Sequence, residues 1–395
     1  MTSSAEQMRA YKGPAFFSFG FRPFFLGGAI TAAIAPLVTV AALSGVLAFN
    51  PPNGLIAWHA HEMVYGYLAA VIAGFILTAV PNWTGRLPIN GLRLAGLAGL
   101  WLAGRAAILS ADFIGAPLAM AVDCAFLIVL DLLLWREVIT GKNWRNVPIC
   151  ILIGLLGLGN ILWHMQLARG GTGTFGVHWG LGVVAVLLAL IGGRVTPSFT
   201  RNWLAKTGAA PFAAPFAAID KVAIAALVAG VLGWLFAPGA PVSGAILMAA
   251  GALHYIRLMR WRGWRTIAEP LVVILHFGYF WLATALVLLG LSLLAPSLIA
   301  QSAALHALTA GAAGVMTLAV MTRATRGHAG HALEADRATI AIYILVNIGA
   351  GLRVAAPLLP VSYNIAMGFA ALVWSSAFAV FALVYGRYLV QPRRQ

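Results

Sequence analysis

Residues 57–63, Ala-Trp-His-Ala-His-Glu-Met, set two imidazoles and a carboxylate at the head of a long apolar run. On a helix, at 100° per residue, His59 and His61 point about 200° apart, so a single metal does not easily take both. Their spacing suits ligation of two different metals on opposite faces of one helix. His59 and Glu62, at i and i+3, share a face on which the carboxylate can orient the imidazole of a ligand. Imidazole suits haem iron and copper. Zinc more commonly brings cysteine or a compact set of histidine and carboxylate, and no such set is expected here. Cys124 and Cys150 lie in or beside apolar runs, with neither a disulfide framework nor a zinc spacing, and read as small core residues. The competing structural reading is that the histidines only anchor a helix end among lipid headgroups.

The elements that must position these groups are membrane helices. Of the 395 residues, 62% are hydrophobic and 9% charged, whereas a soluble domain carries about a quarter charged residues. The apolar runs are roughly 20 residues long, enough to cross a ~30 Å hydrocarbon core. Twelve spans are expected, at about 24–48, 56–80, 92–110, 115–138, 147–168, 176–199, 216–236, 240–259, 270–294, 299–322, 338–357 and 362–388. The opening residues run from polar to basic and into the first span, so no cleavable leader is expected. The fold class is thus an all-α polytopic membrane protein, one transmembrane domain over 1–395.

Charge sets the orientation. With the N-terminus inside, 21 of the 25 basic residues fall on one side, from Arg9, Lys12 and Arg22 to Arg387, Arg393 and Arg394, and only Arg169 lies in the opposite loops. That asymmetry is the positive-inside pattern and puts both termini in the cytoplasm. The net charge of +15 therefore reports topology and excludes a nucleic-acid partner as its cause. Arg257, Arg260, Arg262 and Arg265, interleaved with Trp261 and Trp264, suit anionic headgroups at an interface.

Arg105, Arg194 and Arg353 fall inside spans, where ionisable groups are costly and usually face an interior site. Counting 1.5 Å per residue, Arg105 and Arg353 lie toward the outer ends of their spans, and Arg194 snorkels toward the inner face. His59, His61, His164, His178 and His306 fall in the same outer half. That shared depth makes them, with Arg105, Arg353 and Glu62, the candidate cofactor-binding groups. His276, a turn or two inside the ninth span, and His328, in a cytoplasmic loop, are further metal candidates; His254 reads as interfacial.

Three stretches close the second, sixth and tenth spans alike: Val-Pro-Asn-Trp-Thr-Gly-Arg (80–86), Val-Thr-Pro-Ser-Phe-Thr-Arg-Asn (195–202) and Val-Met-Thr-Arg-Ala-Thr-Arg-Gly-His (320–328). Each follows a histidine, His61, His178 or His306, by about 20 residues. Such a period suggests three four-helix units, 14–143, 144–268 and 269–395.

The blocks FGFRPFFLGGA, WHAHEMVYGYLAAVIAGFILTAVPNWTGR, RVTPSFTRN and TRATRGHAGHAL resemble the NnrS family over essentially the whole chain. That resemblance implies a twelve-span bacterial inner-membrane protein containing haem, of b type, and copper, linked to nitric oxide metabolism and tolerance. Near the loop histidines the family reads Gly-His-Thr-Gly-Arg; here Ala329 stands at the Thr and His331 at the Arg, so only His328 keeps the motif. A looser likeness, in architecture alone, is to haem–copper oxidases and their nitric-oxide-reducing relatives.

Three functions follow as expectations. One is a haem enzyme that binds or reduces nitric oxide, with Arg105 or Arg353 steadying haem propionates or a developing oxyanion. A second is a transporter or chaperone for haem, copper or an iron–nitrosyl species. A gas sensor ranks last, since long cytoplasmic output segments are absent. Nitric oxide and membrane lipids are the expected partners. A reporter active only in the periplasm, fused after Gln395, should stay silent; activity there would invert every depth assigned above.

Overall fold

The computed structural model describes residues 11–210 and 212–394. Arg9, counted above with the basic residues, lies outside the described residues. Among the described residues there is no strand, and twelve helices are long and apolar enough to cross a membrane. They are α1 (Phe21–Leu43), α2 (Leu55–Pro81), α3 (Gly91–Leu109), α4 (Ala116–Thr140), α5 (Trp144–Ala168), α6 (Thr174–Lys206), α7 (Ala218–Phe236), α8 (Pro241–Arg260), α9 (Pro270–Leu294), α10 (Gln301–Ala329), α11 (Arg337–Leu358) and α12 (Tyr363–Val390). The chain is an all-helical, multi-pass membrane protein. Hydrocarbon offers backbone N–H and C=O groups no partner, so each apolar run satisfies them internally as a helix. Proline opens α8 and α9, where its missing N–H costs nothing. Side-chain caps help start two helices: Glu269 accepts from the Leu271 N–H before α9, and Asp336 from the Thr339 N–H before α11.

The chain forms two compact units. The first holds the described residues of Met1–Gly180, Ala324–Ala332 and Phe381–Gln395; the second holds Leu181–Arg323 and Leu333–Val380. In the first, α2 is the most enclosed helix and α3 the most lipid-facing. In the second, α9 is enclosed and α7 lipid-facing.

Three helices widen into π turns: α2 over Glu62–Leu68, α6 over Leu188–Gly192 and α10 over Ala307–Ala313. They lie four spans apart, the interval of the four-helix units outlined from the sequence. A π turn disturbs the regular i→i−4 ladder, and each of these segments receives a side-chain donor. In the first unit the Trp101 indole N–H donates to the Gly66 carbonyl (3.0 Å). In the second, Arg257 donates to Ala189 O (3.4 Å) and Trp374 to Ala310 O (3.0 Å).

Glycines set the tightest approaches in the first unit. A Cβ at Gly176 would strike the backbone of Trp163, so α5 and the start of α6 touch there. The Tyr65 hydroxyl donates to Gly176 O (2.5 Å), and a Cβ at Gly159 or Gly180 would lie 2.6 Å from that hydroxyl. Gly176→Ala should therefore overpack the helices and cost ~1–3 kcal/mol. Gly96 on α3 has nothing within 4 Å of where its Cβ would stand. Gly96→Ala should be neutral or stabilising by up to ~1 kcal/mol. Thermal unfolding in one detergent checks both; melting temperatures that fall equally would break this account of the packing.

Candidate metal centre

Four helices of the first unit converge on one buried cluster. α2 carries His61 and, at the start of its widened turn, Glu62; α3 carries Arg105, α4 carries Asp123, and α5 carries Asn160, Trp163 and His164. Asn160 and His164, one turn apart at i and i+4, share a face of α5. His61, Asp123 and Asn160 are each at most 1% exposed. Asp123 Oδ2 accepts from the Asn160 amide (2.8 Å) and lies 3.1 and 3.0 Å from the Nε2 atoms of His61 and His164. Asn160 Oδ1 stands 2.9 Å from His61 Nε2, and Glu62 Oε1 3.4 Å from His61 Nδ1. Arg105 bridges the two carboxylates, donating to Glu62 Oε1 (3.0 Å) and to Asp123 Oδ1. The Trp163 ring covers both imidazoles, with centroids 4.1 Å from His61 and 4.8 Å from His164.

The electrostatics favour a cation. Two carboxylates buried in a membrane protein need compensation. Arg105 supplies one positive charge, so with neutral imidazoles one negative charge remains. It is expressed at Asp123 Oδ2, the oxygen the two histidines share. One ligand atom each from His61, Asp123 and His164 all lie within 4.8 Å of one another. Nitrogen, oxygen, nitrogen is a donor set for a single transition-metal ion.

The structure thus brings together four of the residues singled out in the sequence: His61, Glu62, Arg105 and His164. Asp123, Asn160 and Trp163 were missed. Asp123 carried a usable signal, since a carboxylate inside an apolar span is as costly as the arginines that were flagged. It also supplies the compact histidine–carboxylate set that the sequence did not lead us to expect. Glu62, expected beside His59, instead reaches His61 and Arg105. His59 does face a different helix from His61, its Nδ1 lying 3.0 Å from Thr39 on α1.

The remaining candidates lie elsewhere. His178 is half-buried on the start of α6, and His328 packs on Phe19 and Phe21, both in the first unit. In the second unit His276 Nε2 meets the Thr200 hydroxyl (2.8 Å). There, too, the Nδ1–H of His306 donates to Ser302 O (2.7 Å) and Arg353 lies over Tyr363.

The family model described as NnrS protein matches residues 15–393. The chain belongs to the NnrS family. No curated protein sequence matches it. Within this NnrS chain, the block from Trp58 to Arg86 supplies His61 and Glu62, whereas Asp123 and His164 lie outside every block by which the family resemblance was read.

Asp123→Asn keeps the side chain's shape but removes the excess negative charge, leaving Arg105 and Glu62 as a balanced pair. It should cost about 1.5–3 kcal/mol through the lost charge-assisted hydrogen bonds, and abolish metal uptake. His164→Ala should lower metal stoichiometry with a smaller loss of stability, and His59→Ala should leave stoichiometry at the cluster unchanged. Metal analysis of the purified variants decides; loss of metal in His59→Ala alone would relocate the centre.

Proposed function

We propose that this NnrS protein acts in nitric oxide metabolism and nitrosative-stress tolerance, binding or reducing nitric oxide at a metal centre in the outer half of the bacterial inner membrane. Both termini face the cytoplasm in this reading, as the basic asymmetry of the loops requires. The observation that carries it is the buried His61–Asp123–His164 group inside the membrane-spanning region.

The donor set fits one copper ion; as a compact histidine–carboxylate set it also fits zinc, and copper is the redox-active ion of the two. Imidazole nitrogen suits copper, and the carboxylate balances its charge. It does not fit haem on His61 Nε2, because Asn160 Oδ1 and Asp123 Oδ2 already stand within 3.1 Å of that nitrogen. A haem is better matched by His306, whose Nδ1–H is committed to the Ser302 carbonyl. That commitment puts the ring proton on Nδ1 and so fixes the tautomer.

Copper, when bound, supplies a centre able to take up the diatomic gas, which the apolar bilayer delivers. The protein's own part is positional. Arg105 holds Asp123 through Oδ1 and so turns Oδ2 toward the imidazoles. Asn160 ties Asp123 to His61 from the other side. Trp163, fully buried, shuts water out above both rings. Glu62 adjoins the far ring nitrogen of His61, where a change of charge tunes a ligand without removing it.

A second reading, transport or delivery of haem, copper or an iron–nitrosyl species, draws on the second unit. There Asp220, Arg257, Tyr279 and His254 form a fully buried polar network, the kind of intramembrane polar path that transport needs.

Purified protein from metal- and haem-replete cells should contain copper and show a Soret band that shifts on reduction and again with nitric oxide. His306→Ala should change the haem spectrum, and Glu62→Gln should keep the copper but alter its spectrum. A colourless, metal-free protein that takes up neither group on reconstitution would sink the redox reading and leave transport.

A further inference from the structure

Two stretches singled out in the sequence take no part in the metal centre: Gly-Phe-Arg-Pro at 20–23 and Arg-Gly-His-Ala-Gly-His at 326–331. In the first compact unit they meet at the end of α12. The rings of Phe19 and Phe21 lie 5.7 and 5.5 Å from His328. Arg22 turns onto the last turn of α12, its Nη1 donating to the carbonyls of Leu389 (2.8 Å) and Gln391 (2.5 Å). Arg326 donates to the Tyr385 hydroxyl (3.2 Å) and to Ala332 O (3.3 Å). His331 stacks on Tyr388 at 3.9 Å. The tail then crosses Gly330, where the Arg394 N–H donates to Ala329 O (3.0 Å). Gly330 sits at φ +81°, and a Cβ there would collide with the Arg394 carbonyl, so the crossing needs glycine.

Among the described residues, the charged groups of this corner are cationic. The charged groups acting on His328 are Arg393 and Arg22; those acting on His331 are Arg394, Arg326 and Arg387. No carboxylate appears among them. His331, in the loop after α10, is held below the usual histidine value by partial burial and then by those three arginines. The topology rule accounts for solvated arginines in a tail such as Arg393 and Arg394. It does not account for Arg22 and Arg326, only 2% and 7% exposed. Carbonyl dipoles solvate the Arg22 guanidinium without neutralising it, and its Nε, also buried, has no hydrogen-bond partner. Among the described residues this buried cation has an unused donor and no carboxylate partner.

We propose that this corner is a phosphate-binding site, with Arg22 as its floor and Arg393, Arg394 and Arg326 around it. Guanidinium forks match phosphate oxygens in geometry and charge. The site lies where three span ends meet, at the depth of lipid headgroups, so the phosphate is that of an anionic lipid or a free phosphate ion.

The test uses the full chain in detergent, with short-chain phosphatidylglycerol, phosphatidylcholine or inorganic phosphate as probe, followed by calorimetry and by phosphorus retained after gel filtration. Wild type should bind phosphatidylglycerol or phosphate, weakening as salt is raised, and should not bind phosphatidylcholine comparably. Arg22→Gln should weaken binding about tenfold or more, equivalent to ~1.4 kcal/mol. Should that variant fail to fold, the double change Arg393→Gln with Arg394→Gln, on the exposed tail, should fold as wild type and weaken binding to a similar degree. Binding of phosphatidylglycerol alone assigns the lipid; equal affinity for inorganic phosphate assigns the free ion. The proposal is overturned if wild type binds neither above phosphatidylcholine, or if the tail variant binds as wild type does.

Discussion

One guanidinium holds the first unit in register. Arg105 lies between Glu62 and Asp123, two carboxylates that would repel each other and shed their charge if left alone among apolar helices. A planar fork of five donors can serve both acids at once, which the compact ammonium of lysine cannot do with the same geometry. The surrounding helices are cut to let it in. A Cβ at Gly66 would stand 2.7 Å from Arg105 Nη1, and one at Gly104 would stand 3.0 Å from Asp123 Oδ1. The two glycines thus bring α3 close to α2 and α4. Once the bridge is made, the rotation and depth of α2, α3 and α4 are tied together, and Asp123 Oδ2 is left facing α5.

The π turn of α2 is the second half of that arrangement. It starts one residue after His61, and His61 and Glu62 both address the same cluster although they are sequence neighbours. On a regular helix adjacent side chains diverge by 100°. The Trp101 indole holds the widened turn from α3, the same helix that carries Arg105. Local helix distortion and ion pairing are therefore set by one neighbour.

The spans were legible because hydropathy and length speak directly of a bilayer, and the observed helices follow the expected ranges closely. What the sequence could not carry was proximity. Residue counting assigns His61 and His164 one depth and assigns it to His306 as well, which belongs to the other compact unit. Choosing among them requires knowing which helices touch. Asp123 was legible in principle: attention to intramembrane cations without equal attention to anions hid it. Glu62 was expected to orient His59, and the contacts it makes are with His61 and Arg105. His59 and His61, expected to face apart, meet different helices, α1 for the first and α4 and α5 for the second.

Arg22 and Leu389 are 367 residues apart, yet one hydrogen bond joins them. During synthesis α1 leaves the ribosome long before its partner exists, so the first helix must wait in the lipid with its arginine unserved until the last helix arrives. Closure of this corner therefore waits until α12 has been made, and a chain cut short before α12 would leave that guanidinium without the carbonyls that serve it.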